Sequence, residues 1–220
     1  MASLRSIAAC IGVTGNFSVS RDFFGFLRGV PSDVSILTQV RRLQGRHVHM
    51  NFIRVGSDQF TNNDLAEMDS ALQFTRDNYE QVNLGVGKVE HYFITTAEAG
   101  GAENINNDDE AEELTNDWTV PNSALDIFFV LTYSGSTIGL SRVDGPCDKD
   151  AKGMDGSVVA IEGSVNTTGF VLAHEAGHYL GLGHSSSSGN LMFGTVPNGG
   201  GLTNGQGSNM RDHCFVKSGC

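Results

Sequence analysis

The apolar positions become regular at residue 46. Val48, Met50, Phe52 and Val55 bracket alternating polar positions in Arg46–Val55, the pattern of a strand with one face on a core. A helix should follow, because Thr61 and Asp64 have the spacing of a capping box and Leu65, Met68, Leu72, Tyr79 and Val82 fall close to one face. Gly85 and Gly87 punctuate the turn into a second strand, His91–Thr95. Strand, helix, strand in this order favours a crossover within one sheet. Ala124–Tyr133 holds the longest apolar run, Ile127–Leu131, and reads as a buried strand. Short strands around Gly139–Val143 and Ser157–Ile161 complete a mixed sheet. Thr167 or Thr168 can cap a helix through about Leu180, a Gly/Ser/Asn-rich stretch follows to Gly207, and a short last helix is expected around Asn209–Val216.

Composition narrows what this layout can do. A length of 220 residues with 39% apolar side chains suits one well-packed domain with a modest extension. Lys and Arg number 14 against 25 Asp and Glu, a formal net charge of -11, which argues against a basic face for nucleic acid. No stretch approaches the roughly 20 apolar residues that cross a bilayer, so no membrane span is expected. Cys10, Cys147, Cys214 and Cys220 lack the short paired spacings of a zinc ribbon, which favours disulfides and an oxidising, secreted setting. Three pairings are open to four cysteines. The N-terminus has one basic residue and a short apolar patch, and no convincing signal peptide. The acidity concentrates in residues 103–117 and in the loop holding Asp144, Asp148, Asp150 and Asp155. Solvation accounts for both, with Ca2+ as the alternative; an EF-hand fails because Lys152 and Val159 stand where oxygen ligands are required.

The chemistry concentrates in His174-Glu175-Ala176-Gly177-His178-Tyr179-Leu180-Gly181-Leu182-Gly183-His184. Residues four apart share a helix face, so His174 and His178 can direct imidazole nitrogens at one point. Gly181 can take the left-handed conformation that ends a helix and return His184 to that point. Three neutral imidazoles around Zn2+ leave a coordination position for water, as a catalytic site requires. Glu175 is placed to accept that water's proton and pass it to a leaving amine. Chance would produce the short H-E-x-x-H pattern in a chain of this composition with a probability on the order of 1%, and the third spaced His makes the long form far rarer.

The extended motif followed by a methionine is the metzincin signature. The sequence resembles the metzincin zinc metalloproteases, and its zinc segment is most similar to the matrixins through Gly181-Leu182-Gly183-His184-Ser185 and Leu191-Met192. That resemblance implies an α/β (α+β) metzincin-type zincin fold. Its parts would be a twisted mixed sheet, a zinc-binding helix and a loop-rich C-terminal subdomain ending in a helix. It also implies that Met192, eight residues after His184, forms a hydrophobic base beneath the zinc, and that Leu202-Thr203 and Met210-Arg211 belong to the last helix. An edge strand within Ile138–Val143 would pair with an extended protein or peptide substrate. Related branches bind zinc with a Tyr two residues after the methionine, where this chain has Gly194. His47, His49 and His91 match no structural-zinc pattern and read as strand or surface histidines. Gly145-Pro146-Cys147-Asp148 is only distantly similar to the matrixin cysteine switch, and a disulfide is the better account of Cys147.

Together these readings predict a zinc-dependent endopeptidase, monomeric and secreted. His174, His178 and His184 bind the metal, Glu175 is the general base and Met192 supports the site. The catalytic domain spans 46–220, and residues 1–45 are an extension serving as a structural wrap or a pro-segment. The competing expectation is a secreted binding or adhesion module that keeps zinc for structure alone.

Overall fold

Both faces of the central strands are apolar, and the chain covers both. In the computed structural model, which describes residues 11–14, 39–42, 45–149, 151, 153–161, 163–195 and 199–218, strand Arg46–Val55 (β3) lies at the centre of a six-stranded sheet. Two earlier strands, Ile11–Thr14 (β1) and Gln39–Arg42 (β2), pair antiparallel with each other; otherwise the extension 1–45 lies almost wholly outside the described residues. Helix α1 (Asn62–Glu80) carries the expected reciprocal cap between Thr61 and Asp64 and returns the chain to β4 (Leu84–Ile94), parallel to β3. β6 (Leu125–Val130) runs parallel to β3 on its other side, β9 (Ser157–Ala160) parallel to β6, and β8 (Gly139–Ser141) antiparallel at the edge.

Side-chain alternation sorts the strands into two cores. Val48, Met50, Phe52, Leu125, Ile127, Phe129 and Val159 point to one face, covered by α1 and by α4 (Val165–Tyr179). Ile53, Val55, Phe128, Val130, Val158 and Ala160 point to the other. There the sheet meets α3 (Asp108–Asp117) and a small parallel sheet of β5 (Asn104–Ile105) and β7 (Thr132–Tyr133), after the single-turn helix α2 (Thr96–Ala99). β6 is therefore buried at every position, which is why its sequence reads as a continuous apolar run.

Three boundaries differ from the sequence reading. β4 begins at Leu84, and the glycines expected to form the turn lie inside it. The register shifts between Val48 and Met50, so Gly87 and Lys88 stand opposite the single His49; a Cβ at Gly87 would come within 2.6 Å of His49 Nδ1. The turn itself falls on Asn83, whose φ of 56° is left-handed. α4 starts at Val165 with no side-chain cap, and Thr168 instead donates a buried hydrogen bond to Glu67 on α1. The last helix, α5, spans Asn204–Asp212 behind a Thr203/Gln206 capping box, and the apolar Phe215 and Val216 carry the chain on into β10 (Val216–Ser218), antiparallel to β3.

Part of the acidic segment serves the start of a helix. Asp108, Asp109 and Glu110 occupy the first turn of α3, where carboxylates meet the positive end of the helix dipole, and Glu110 accepts from the backbone of Asn106.

Candidate metal centre

α4 passes under the sheet and buries His174, Glu175 and His178, whose exposures are 4%, 8% and 6%. The helix ends in a Schellman turn. Gly181 has φ of 94°, its N–H donates to the His178 carbonyl at 2.9 Å, and Leu182 N–H donates to the Gly177 carbonyl at 3.0 Å. This reversal brings the exposed His184 back, so that ligand atoms of His174, His178 and His184 all lie within 4.8 Å of one another. His178 Nε2 and His184 Nε2 are 3.2 Å apart.

Backbone carbonyls hold the two buried rings. His174 Nδ1 donates to the Leu191 carbonyl at 2.8 Å and His178 Nδ1 to the Leu182 carbonyl at 2.6 Å. A carbonyl can only accept, so each bond keeps the proton on Nδ1 and leaves an Nε2 lone pair for the shared point. Burial lowers the pKa of His174 and pushes that of His178 down to about 4, which keeps both neutral near pH 7. Two zinc–nitrogen bonds of about 2.0–2.1 Å at a tetrahedral angle place their nitrogens roughly 3.3 Å apart, close to the His178–His184 separation. The donor set thus fits zinc in type and spacing, and its two buried members also in protonation.

Glu175 lies beside this cluster under the edge strand. Burial alone raises its pKa to about 8. Directly above it is Gly139 of β8, where a Cβ would meet Glu175 Cγ at 2.8 Å and Val171 Cγ1 at 2.5 Å, so only glycine lets the strand pass this close.

Met192 is fully buried, and its sulfur lies against Gly177, where an added Cβ would come within 2.8 Å of it. Its carbonyl accepts from Ser185 N–H at 2.7 Å, tying the methionine turn to the residue after His184. Gly194 runs beside the His184 ring, with a notional Cβ 3.6 Å from Nδ1, and offers no side chain there.

The other candidates are dispersed. The His47 and His49 rings pack 4.8 Å apart on β3, and neither they nor His91 join a metal-binding group among the described residues. Cys147 forms a disulfide with Cys214, whereas Cys10 and Cys220 lie outside the described residues. The loop before that disulfide closes the end of α4, since Asp144 N–H and Gly145 N–H donate to the carbonyls of His178 and Tyr179. Lys149 in the acidic loop pairs at 2.7 Å with the fully buried Asp126 of β6, so a lysine supplies the counter-charge at that carboxylate.

Several supporting residues carry no distinctive motif. Tyr79 on α1 donates to the Ala173 carbonyl at 2.8 Å, bracing α4 just before the first ligand. Asn190 binds the Met192 N–H at 2.9 Å and pairs with Gln206. Gln206 is marked in sequence by the Thr203-x-x-Gln206 capping pattern; Asn190 has no such signal.

The fold has relatives among solved structures. One is the crystal structure of metalloproteinase-II from Bacteroides fragilis, similar with a TM-score of 0.53 at 16% identity over 74% of this chain and 52% of that one. This chain therefore spans about half the length of that relative. No curated protein sequence matches significantly. The family described as Matrixin matches residues 46–203, a span that holds strands β3 to β9, the zinc-type helix and the methionine turn. The chain belongs to the matrixin family of peptidases.

Proposed function

We propose that this protein is a zinc endopeptidase, with His174, His178 and His184 as the metal ligands and Glu175 as general base and then general acid. The observation that carries the reading is a buried carboxylate, Glu175, set beside three converging imidazoles and beneath an edge strand. Zinc, when bound there, supplies a Lewis acid that polarises the scissile carbonyl and lowers the pKa of water. His174 and His178, held in one tautomer by the Leu191 and Leu182 carbonyls, orient their nitrogens without rearrangement. Glu175 takes the proton of the attacking water and delivers it to the departing amine, so the same carboxylate serves both halves of the reaction. Met192, buried with its sulfur against Gly177, supplies an apolar floor to the site.

Among the described residues β8 pairs with β9 along one side only, which suits an extended protein or peptide substrate adding as a further strand past Gly139 and over Glu175. The Cys147–Cys214 disulfide supports a secreted protein. A purely structural zinc site has no use for a carboxylate at Glu175, which speaks against a non-catalytic adhesion module.

The test is zinc content by elemental analysis together with casein or gelatin cleavage. Glu175→Ala should keep its zinc and lose roughly 100-fold or more of turnover, the scale of general acid–base catalysis. Equal cleavage by both proteins would refute the role of Glu175.

A further inference from the structure

Asn190 is buried two residues before Met192, and its amide makes three hydrogen bonds. Oδ1 accepts from Met192 N–H at 2.9 Å and from Gln206 Nε2 at 3.0 Å, while Nδ2 donates to Gln206 Oε1 at 2.9 Å. Gln206 occupies the third position of α5, where Oε1 also accepts from Thr203 N–H at 2.9 Å. The two side chains form a reciprocal amide pair with matched donors and acceptors, so the bend before the methionine is fixed to the start of a helix.

Leu191 sits between Asn190 and Met192. Its N–H donates to the Gly201 carbonyl at 2.8 Å, and its own carbonyl is the one that accepts from His174 Nδ1. The Leu191 peptide is thus held on both sides, by the Asn190 amide and by Gly201, with its oxygen aimed at the first imidazole. α5 contributes none of the three imidazoles, yet three hydrogen bonds, Gln206 to Asn190, Met192 N–H to Asn190 and His174 to the Leu191 carbonyl, link it to one of them.

Resting on the metal-site reading above, we propose that Asn190 and Gln206 are positioning residues. Their amide pair sets the Leu191 carbonyl, and through it the tautomer and rotation of His174, so that the cap of the last helix governs how tightly the site holds its metal. Groups that orient a metal ligand typically contribute 10–100-fold in affinity; one step further out, about tenfold is expected.

The experiment measures zinc affinity of the full chain by competition with a chromophoric chelator, and the visible spectrum of the Co2+-substituted protein. Gln206→Ala should weaken zinc about tenfold and alter the cobalt spectrum. Gln206→Glu keeps the acceptor contacts to Asn190 and Thr203 but cannot donate to Asn190 Oδ1, and should fall between; it carries the test if the alanine variant does not fold. Thr203→Ala removes the other half of the same capping box while sparing the amide pair, and should lower Tm without changing affinity or spectrum. If wild type binds zinc and both Gln206 variants match it, or Thr203→Ala weakens zinc as much, the inference is overturned and the metal site stands. A wild-type chain that binds no zinc overturns the metal reading and this inference with it.

Discussion

Gly139 and Glu175 illustrate how little room separates the edge strand from the reactive carboxylate. An alanine at 139 would press on Glu175 Cγ and Val171 Cγ1, both buried, with the backbone of β8 unable to retreat without breaking its ladder to β9. Gly139→Ala is therefore expected to retain zinc and to lower kcat on the order of tenfold to a hundredfold, the cost of misplacing a reacting group by about 1 Å. Steady-state peptide hydrolysis with a metal assay checks this, and an unchanged kcat would show that the strand yields freely.

The same burial makes the metal-free chain sensitive to pH. Glu175 has a folded pKa of about 8 against an ordinary value of 4.5, so its contribution to stability is complete below pH 4.5 and is lost as pH rises through 8. His178, lowered from 6.5 to about 4, acts in the opposite sense and costs stability as pH falls through that interval. Between pH 6.5 and 8 the carboxyl group dominates this pair. Thermal melts of metal-free protein should decline across that range, and Glu175→Gln should flatten the decline; parallel profiles would contradict the burial argument.

Among the elements, the end of α4 depends most on distant sequence. Its last carbonyls are met by Asp144 and Gly145, Tyr179 donates to the Pro146 carbonyl at 2.9 Å, and His213 Nε2 donates to the Gly145 carbonyl at 3.0 Å. The Cys147–Cys214 disulfide closes this clamp across a sequence separation of 67 residues. A loop of that length corresponds to about 4 kcal/mol in the chain-entropy account. Replacing both cysteines by alanine should lower the urea midpoint by a corresponding amount, with the metal site retained where the fold persists. A double variant as stable as wild type would place the clamp in the hydrogen bonds instead.

Across the whole molecule, the sheet separates two cores, and the metal site belongs to the one shared by α1, α4 and the methionine turn. The second core buttresses the sheet from behind and has no side chain in the site. From the sequence alone, since residues 1–45 lie almost wholly outside the described residues, we propose the wrap over the inhibitory pro-segment. Full peptidase activity of a chain whose N-terminus remains intact by sequencing is the expected result, and activity that appears only after a new N-terminus forms would reverse the assignment.

Local chemistry made much of this legible in the sequence. Helix periodicity placed His174 and His178 on one face, Gly181 announced the reversal that returns His184, and the apolar run of β6 announced a strand covered on both sides. These features depend on interactions within about a turn of helix or along a single strand, so the order of residues suffices to specify them. What the tertiary structure decided are contacts between residues far apart in the chain. They include the glycines of β4 placed opposite His49, the Leu191 carbonyl on His174, the amide pair of Asn190 and Gln206, the pairing of Cys147 with Cys214, and Glu175 lodged under Gly139. Each is fixed only when packing brings separate elements together, because a single amide, glycine or carbonyl carries no periodic signal of the partner it will meet.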